Sequence, residues 1–447
     1  MRLTDWWPSP VHVVLLALAL FGLAPRALAV PSFAAQTGQP CNACHVGGFG
    51  PQLTAFGRNF KLRGYTTRAV RFNVPLAAFA TASYVRTQKA QPAPPAPSFG
   101  ANDNLAIDQI SLFVAGGVGS HFGAFIQNTY DGVAKAFHWD NLDARAVTTG
   151  KIRGANAVFG LSLNNNPTVQ DAFNTLPAWG FPYTSSSLPP HPAAGPLIGN
   201  LAQTTLGLTG YTWINQEIYG EFGGYRSLGA GFLTHAGVDP FTPGKIDGVA
   251  PYGRIAYQKN YGERNFEVGA FWMHADLFPG RDETTGSTDH YTDVGADASY
   301  QYFAANGDVF TLNGLYTYER QRLDASRALG LASNPGDDLQ QARLDASYYW
   351  RNKIGATVQL FDTWGSRDDL LYAGDRALRP DSSGLTLQLD ATPYGDGRSP
   401  LGRRFNLRVG AQYTAYFQFN GAARNFDGSG RNASDNNTFR VFSWIYY

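Results

Sequence analysis

From about residue 68 onward the chain consists of short segments that alternate apolar and polar residues with period two, and no long helical pattern interrupts them. In QARLDASYYW, Ala342, Leu344, Ala346, Tyr348 and Trp350 share one face, while Gln341, Arg343, Asp345, Ser347 and Tyr349 share the other. FNLRVGAQYTAYF, GLTLQLDAT and FTLNGLYTYE behave likewise. A strand turns successive side chains to opposite faces, so each segment reads as a strand with one apolar and one polar face. The candidate strands, about sixteen, centre near residues 78, 111, 125, 141, 158, 207, 219, 255, 270, 297, 315, 346, 359, 388, 410 and 441. A soluble sandwich or a membrane barrel could be built from them.

Three features favour the barrel. Aromatics gather toward segment ends, as in Tyr348-Tyr349-Trp350 and Phe271-Trp272, where interface girdles are expected. The chain finishes TFRVFSWIYY, an alternating strand ending on an aromatic residue. The connections also alternate long and short. The long ones cover roughly 87–103, 165–200, 226–248, 277–289, 323–338, 366–381 and 418–434, and the one near Asp131 is a short exception. Outer-membrane barrels keep short periplasmic turns, long external loops and an even strand count. The expected fold is therefore all-β, an outer-membrane transmembrane barrel of about sixteen strands, with a lumen wide enough for a channel or a plug. The 35 Lys and Arg nearly cancel the 34 Asp and Glu, so no basic field points to nucleic acid.

The first residues predict a processing signal over 1–29. Arg2 precedes the apolar run from Val11 to Ala24, and Ala27-Leu28-Ala29 offers a small-residue cleavage site. The run is shorter than the ~18–20 residues that span a bilayer, although an uncleaved membrane helix is the alternative.

Only two cysteines are present, in Cys41-Asn42-Ala43-Cys44-His45. Two thiols separated by two residues can each form a thioether to a haem vinyl group, with the adjacent His as proximal iron ligand. This predicts one covalently bound haem c. A thioredoxin-like redox pair would need βαβ surroundings that are missing here. In the amphipathic stretch that follows, Leu53, Phe56 and Phe60 fall at helical spacing and can lie against a haem face. Arg58, Lys61 and Arg63 could pair with haem propionates, or be solvated or touch lipid head groups. A segment of roughly 36 residues, 30–66 in outline, cannot bury enough apolar surface to fold independently, even with a haem. It must borrow walls from the barrel, 67–447, and is expected in the periplasmic mouth or the lumen.

The sixth iron ligand has two candidates. Met273 has lumen parity on its strand, opposite Phe266, Val268, Ala270 and Trp272, and His121 has lumen parity near a periplasmic turn. In the loop PGRDETTGSTDHYTD, the residues Asp282, Glu283, Asp289, His290 and Asp293 could hold a divalent ion outside, or simply hydrate the surface. The long apolar loop 165–200, with Phe173, Trp179, Phe181 and Tyr183, either folds into the barrel as a cap or packs on its outer rim or a neighbouring subunit.

Taken together, PSFAAQTGQPCNACH, LTAFGRNFKLRGYT and the porin-like remainder resemble the fused monohaem cytochrome–porins of bacterial outer membranes, which include iron(II)-oxidising outer-membrane cytochromes. The resemblance implies haem attachment at Cys41 and Cys44 with His45 as proximal ligand. It also implies electrons passing from an extracellular donor, typically iron(II), to a periplasmic cytochrome or similar carrier. A diffusion porin with a structural haem plug, and a conduit with another donor or direction, are the alternatives.

Overall fold

A computed structural model describes residues 32–69, 75–402 and 405–447; the signal segment 1–29 lies outside the described residues. The first strands are β1 (Leu76–Thr87), β2 (Asn104–Val118), β3 (Phe122–Asp131), β4 (Ala136–Ile152), β5 (Ala155–Asn164) and β6 (Thr205–Ile214). Next come β7 (Ile218–Ser227), β8 (Gly244–Ile246), β9 (Ala250–Tyr261), β10 (Arg264–Pro279), β11 (Asp289–Phe303) and β12 (Val309–Arg322). The last are β13 (Gly336–Trp350), β14 (Ile354–Gly365), β15 (Ser382–Ala391), β16 (Asn406–Gln418) and β17 (Thr438–Tyr446). Each long strand pairs antiparallel with its neighbours, and β1 pairs with β17 from Phe79 opposite Tyr446 to Thr87 opposite Thr438. The sheet therefore closes on itself and leaves no long edge.

Of the seventeen strands among the described residues, β8 alone is a three-residue insert, paired with the end of β10 through Leu277 and Ile246, while β7 pairs directly with β9. The other sixteen form the barrel, and each contains one of the sixteen predicted centres. Three residues carry no readable period, so β8 has no sequence signal.

Burial is inverted relative to a water-soluble protein. On β13 Leu344 and Trp350 are each 48% exposed, while Asp345 is 6% and Ser347 1% exposed. On β16 Val409, Tyr413 and Phe417 face out and Asn406, Arg408 and Gln412 face in. An apolar exterior around a polar interior is stable only when hydrocarbon surrounds the wall, so this is a porin-like outer-membrane β-barrel.

Long and short connections fall at opposite ends as expected, with one departure. The connection 392–405 between β15 and β16 is long on the short-turn side. It runs against the N-terminal segment: Asn42 N donates to Gly395 O at 3.0 Å, and Gly395 packs against Gly48.

The N-terminal segment lies in the barrel mouth at the short-turn end and reaches several walls. It carries helices α1 (Ser32–Thr37), α2 (Cys41–Cys44) and α3 (Ala55–Leu62). Tyr211 on β6 donates to Leu62 O at 2.8 Å, Arg145 on β4 to Lys61 O at 3.2 Å, and Gln301 on β11 to Leu53 O at 3.0 Å. Asn406 on β16 donates to Gly48 O at 2.9 Å.

The loop 165–204 also folds inward, which settles the alternatives for it in favour of the lumen. Its residues 165–176 are all buried. Arg254 on β9 forms a buried ion pair with Asp297 on β11 at 2.8 Å and reaches Glu267 at 3.4 Å and the loop's Asp171 at 3.5 Å. The far side of the loop is held by Gln359 donating to Phe181 O at 2.6 Å and Arg440 to Thr184 O at 2.9 Å.

Candidate functional site

The motif Cys41–His45 forms a single helical turn with His45 as its C-cap, and His45 N donates to Cys41 O at 2.9 Å. One turn of helix brings two thiols three positions apart onto neighbouring parts of one surface and sets the imidazole just beyond them. The chain then reverses through Gly47 and Gly48, whose φ values of 70° and 68° lie in the left-handed region that glycine tolerates. Gly47 N donates to Asn352 Oδ1 at 2.6 Å. Arg408, bonded to Asp390 at 2.9 Å and to Tyr349 Oη at 3.0 Å, underlies this turn. Phe49 packs edge-on against Trp444 with centroids 4.6 Å apart.

Helix α3 closes the other side. Thr54 caps it by accepting from Gly57 N at 3.2 Å, and the same hydroxyl donates to Ala43 O at 2.6 Å. Thr54 N donates to Cys44 O at 2.9 Å. A Cβ on Gly57 would stand 2.4 Å from Cys44 O, so the helix reaches the motif only because position 57 has no side chain.

His45 is enclosed. Burial, reinforced by the Arg408 charge, lowers its pKa to about 4, which keeps the imidazole neutral, the form a metal ligand requires. Its Nδ1 has no hydrogen-bond partner, and neither have Nε and Nη2 of the buried Arg58. Burial, with neighbouring Cys41 as a lesser cause, pushes the Cys44 thiol up to about 12. Unpartnered buried polar atoms each cost ~1–3 kcal/mol, a cost that a group bonded to His45 Nδ1 and Arg58 would relieve. Two thiols on one turn, a neutral half-buried imidazole and a guanidinium with two unpartnered nitrogens fit a covalently attached haem and its propionates.

The other sequence candidates divide. Phe56 is 39% exposed and free to meet a ligand. Phe60 instead packs on Phe33 and Tyr65, with centroids 4.9 and 5.7 Å away. Arg58 spends Nη1 on Leu53 O and Gln301 Oε1, both at 3.0 Å. Lys61 donates to Val169 O and Asp171 O, each at 2.7 Å, and lies over the Trp179 ring, so it ties the segment to the inward loop. Arg63 bonds Asn59 at 2.9 Å.

Neither distal-ligand candidate is brought to His45. Met273 faces the lumen as its parity predicts, but it packs with Tyr252, Phe271, Leu277 and Leu176. Its cross-strand partner Asp293 stands eight residues along β11 from Gln301, which bonds Leu53. That is roughly 27 Å along the strand. His121 sits exposed in the turn after β2, its ring 2.8 Å from Ser120 Oγ. Period-two parity lapses in a turn, which is why the lumen assignment fails for it.

The external acidic site is not assembled as expected. Asp282 caps Thr284 at 2.8 Å, Glu283 pairs with Lys245 at 2.5 Å, and buried Asp289 accepts from Ser326 N at 2.9 Å. Asp293 accepts from Ile198 N at 2.8 Å inside the lumen. Asp289 and Asp293 point inward and His290 outward, so strand parity separates them. His290 joins Asp276 and His274 instead, two residues that the loop reading left out.

No protein-family model matches the sequence, and a comparison with curated proteins gives no match. Among solved structures, the chain is similar to OprB of Pseudomonas putida at 11% identity, covering 83% of this chain and 93% of that one, with a TM-score of 0.48. OmpF of Salmonella typhi, in complex with daunomycin, gives 13% identity, 84% and 98% coverage and a TM-score of 0.46. The outer membrane channel DcaP of Acinetobacter baumannii gives 9% identity, 86% and 99% coverage and a TM-score of 0.44.

Proposed function

We infer that this chain is an outer-membrane electron-transfer protein holding one haem c through Cys41, Cys44 and His45, with extracellular iron(II) as donor and a periplasmic cytochrome or similar carrier as acceptor. The observation that carries this reading is the clasp on the motif. Asn352, Asn406, Arg408 and Gly395 come from three separate connections or strands, and all bear on residues 42–50. A barrel that used this segment only as a stopper would not need its one cysteine pair and its one imidazole on the stretch that these walls hold in place.

When bound, the haem supplies a one-electron couple whose potential follows its axial ligands and burial. The chain's own residues supply position and access. The clasp fixes the motif at the periplasmic mouth, where a soluble carrier can approach. On the other side Tyr183 packs against the apolar cluster that contains Phe49 and Trp444, while the next residue, Thr184, lines a cavity of about 310 Å³. Gln341, Arg343, Gln359, Gln412 and Arg440 form much of that cavity's polar wall on the long-loop side. A donor held there stays outside while its electron moves inward, which keeps poorly soluble iron(III) out of the cell.

The same polar cavity favours a second reading, a diffusion porin with a structural haem plug. Titrating iron(II) into the purified full-length protein in micelles separates the two. The electron-transfer reading expects reduction of one haem per chain, seen in its absorption bands. A haem that stays oxidised, together with solute uptake into liposomes carrying the protein, would establish the porin reading instead.

A further inference from the structure

On the outward face of β10 the apolar run Phe266, Val268 and Trp272 gives way, two residues further on, to His274 and then Asp276. The alternate residues Met273, Ala275 and Leu277 are buried in the lumen, so His274 and Asp276 point away from it. On β11 the same change occurs between Val294, which is exposed, and Thr292 and His290. Asp276 stands directly opposite His290, and His274 opposite Thr292. Two adjacent strands thus bring two imidazoles and one carboxylate together at the edge of the apolar band, on the long-loop side, at head-group level.

The side chains converge. His290 Nδ1 lies 2.5 Å and His274 Nε2 3.3 Å from the same oxygen, Asp276 Oδ1, and the two rings are parallel within 10° with centroids 6.5 Å apart. His274 Nδ1 meets Thr292 Oγ1 at 2.9 Å. That contact fixes the ring and leaves Nε2 aimed at the cluster, the arrangement that orients metal-ligating histidines through their other nitrogen. Ligand atoms around a tetrahedral ion stand roughly 3.3 Å apart, given ~2.0–2.1 Å bonds. The His274–Asp276 separation already has that value. The His290–Asp276 pair needs to open by less than ~1 Å, a small side-chain rotation for residues about a third exposed.

We propose that His274, Asp276 and His290 form a binding site for one borderline divalent transition-metal ion, of the class of zinc(II) or iron(II). Two imidazoles and one carboxylate select such ions over calcium or magnesium, which prefer all-oxygen shells. The bound ion joins β10 to β11 beside the loop 280–288, where β8 also pairs with β10. The site faces away from the lumen, so it is independent of the haem reading.

Zinc(II) is the probe, because it is redox-silent and its uptake is measured by competition with a chromophoric chelator. The sample is untagged, haem-loaded full-length protein in micelles. The expected result is one saturable equivalent whose affinity falls at least ~10-fold in His274→Ala and in His290→Gln, and is unchanged in His235→Ala, an exposed histidine elsewhere. Folding of each variant is checked by its migration on unheated gels, and His274→Asn replaces any variant that fails. Equal affinity in wild type and both site variants, or no saturable zinc in wild type beyond that of a double variant, overturns the proposal.

Discussion

At the scale of single residues, the site depends on close approaches that admit no extra atom. Gly57→Ala tests this most sharply. In an open helix the change would stabilise by about 1 kcal/mol through propensity. Here the new methyl would meet Cys44 O at 2.4 Å, and overpacking of this kind costs ~1–3 kcal/mol. The net expectation is a loosened N-terminal segment and less haem per chain, measured by haem absorbance against protein. Gly231→Ala, where nothing lies within 4 Å, should leave both unchanged. The grouping of Cys41, Cys44 and His45 on one turn was legible because they lie within five consecutive residues. The partners of Lys61 were not, because Val169 and Asp171 lie more than a hundred positions away and no local pattern connects them.

At the scale of elements, the sixteen long strands were legible because each repeats its inside–outside alternation several times over, as β13 and β16 show. What escaped was aperiodic: β8 with three residues, His121 in its turn, and the connection 392–405 that clasps the motif. The inward loop illustrates a middle case. Its apolar content was visible, but its anchoring by Arg254 was not, since the anchor depends on which strands become neighbours. Arg254→Met should be costly, because Asp171, Glu267 and Asp297 would be left as buried carboxylates without their cation. Removing one partner of a buried pair costs ~3–5 kcal/mol. The expected outcome is protease cleavage within 165–204 on folded barrels, measured by fragment mass. An intact loop would show that Lys61, Gln359 and Arg440 suffice to hold it.

At the scale of the whole molecule, a polar-lined barrel carries two inserts that meet inside it. Leu53 N donates to Asn174 Oδ1 at 2.8 Å, and Asn174 Nδ2 donates to Pro51 O at 2.6 Å, so the N-terminal segment and the loop brace each other. Removing 32–66 while keeping residues 1–31 should therefore raise single-channel conductance in planar bilayers severalfold over the full chain. Equal conductance would mean that ions already pass around the segment, as the porin reading requires. Electron transfer through this barrel requires the covalent haem. The direct test is the pyridine haemochrome spectrum and intact mass of the full-length protein, made in a host that attaches haem to exported apocytochromes. One thioether-linked haem per chain, lost together with its mass increment in Cys41→Ser/Cys44→Ser, is the predicted result. A folded, colourless barrel at the mass of the bare polypeptide would contradict it.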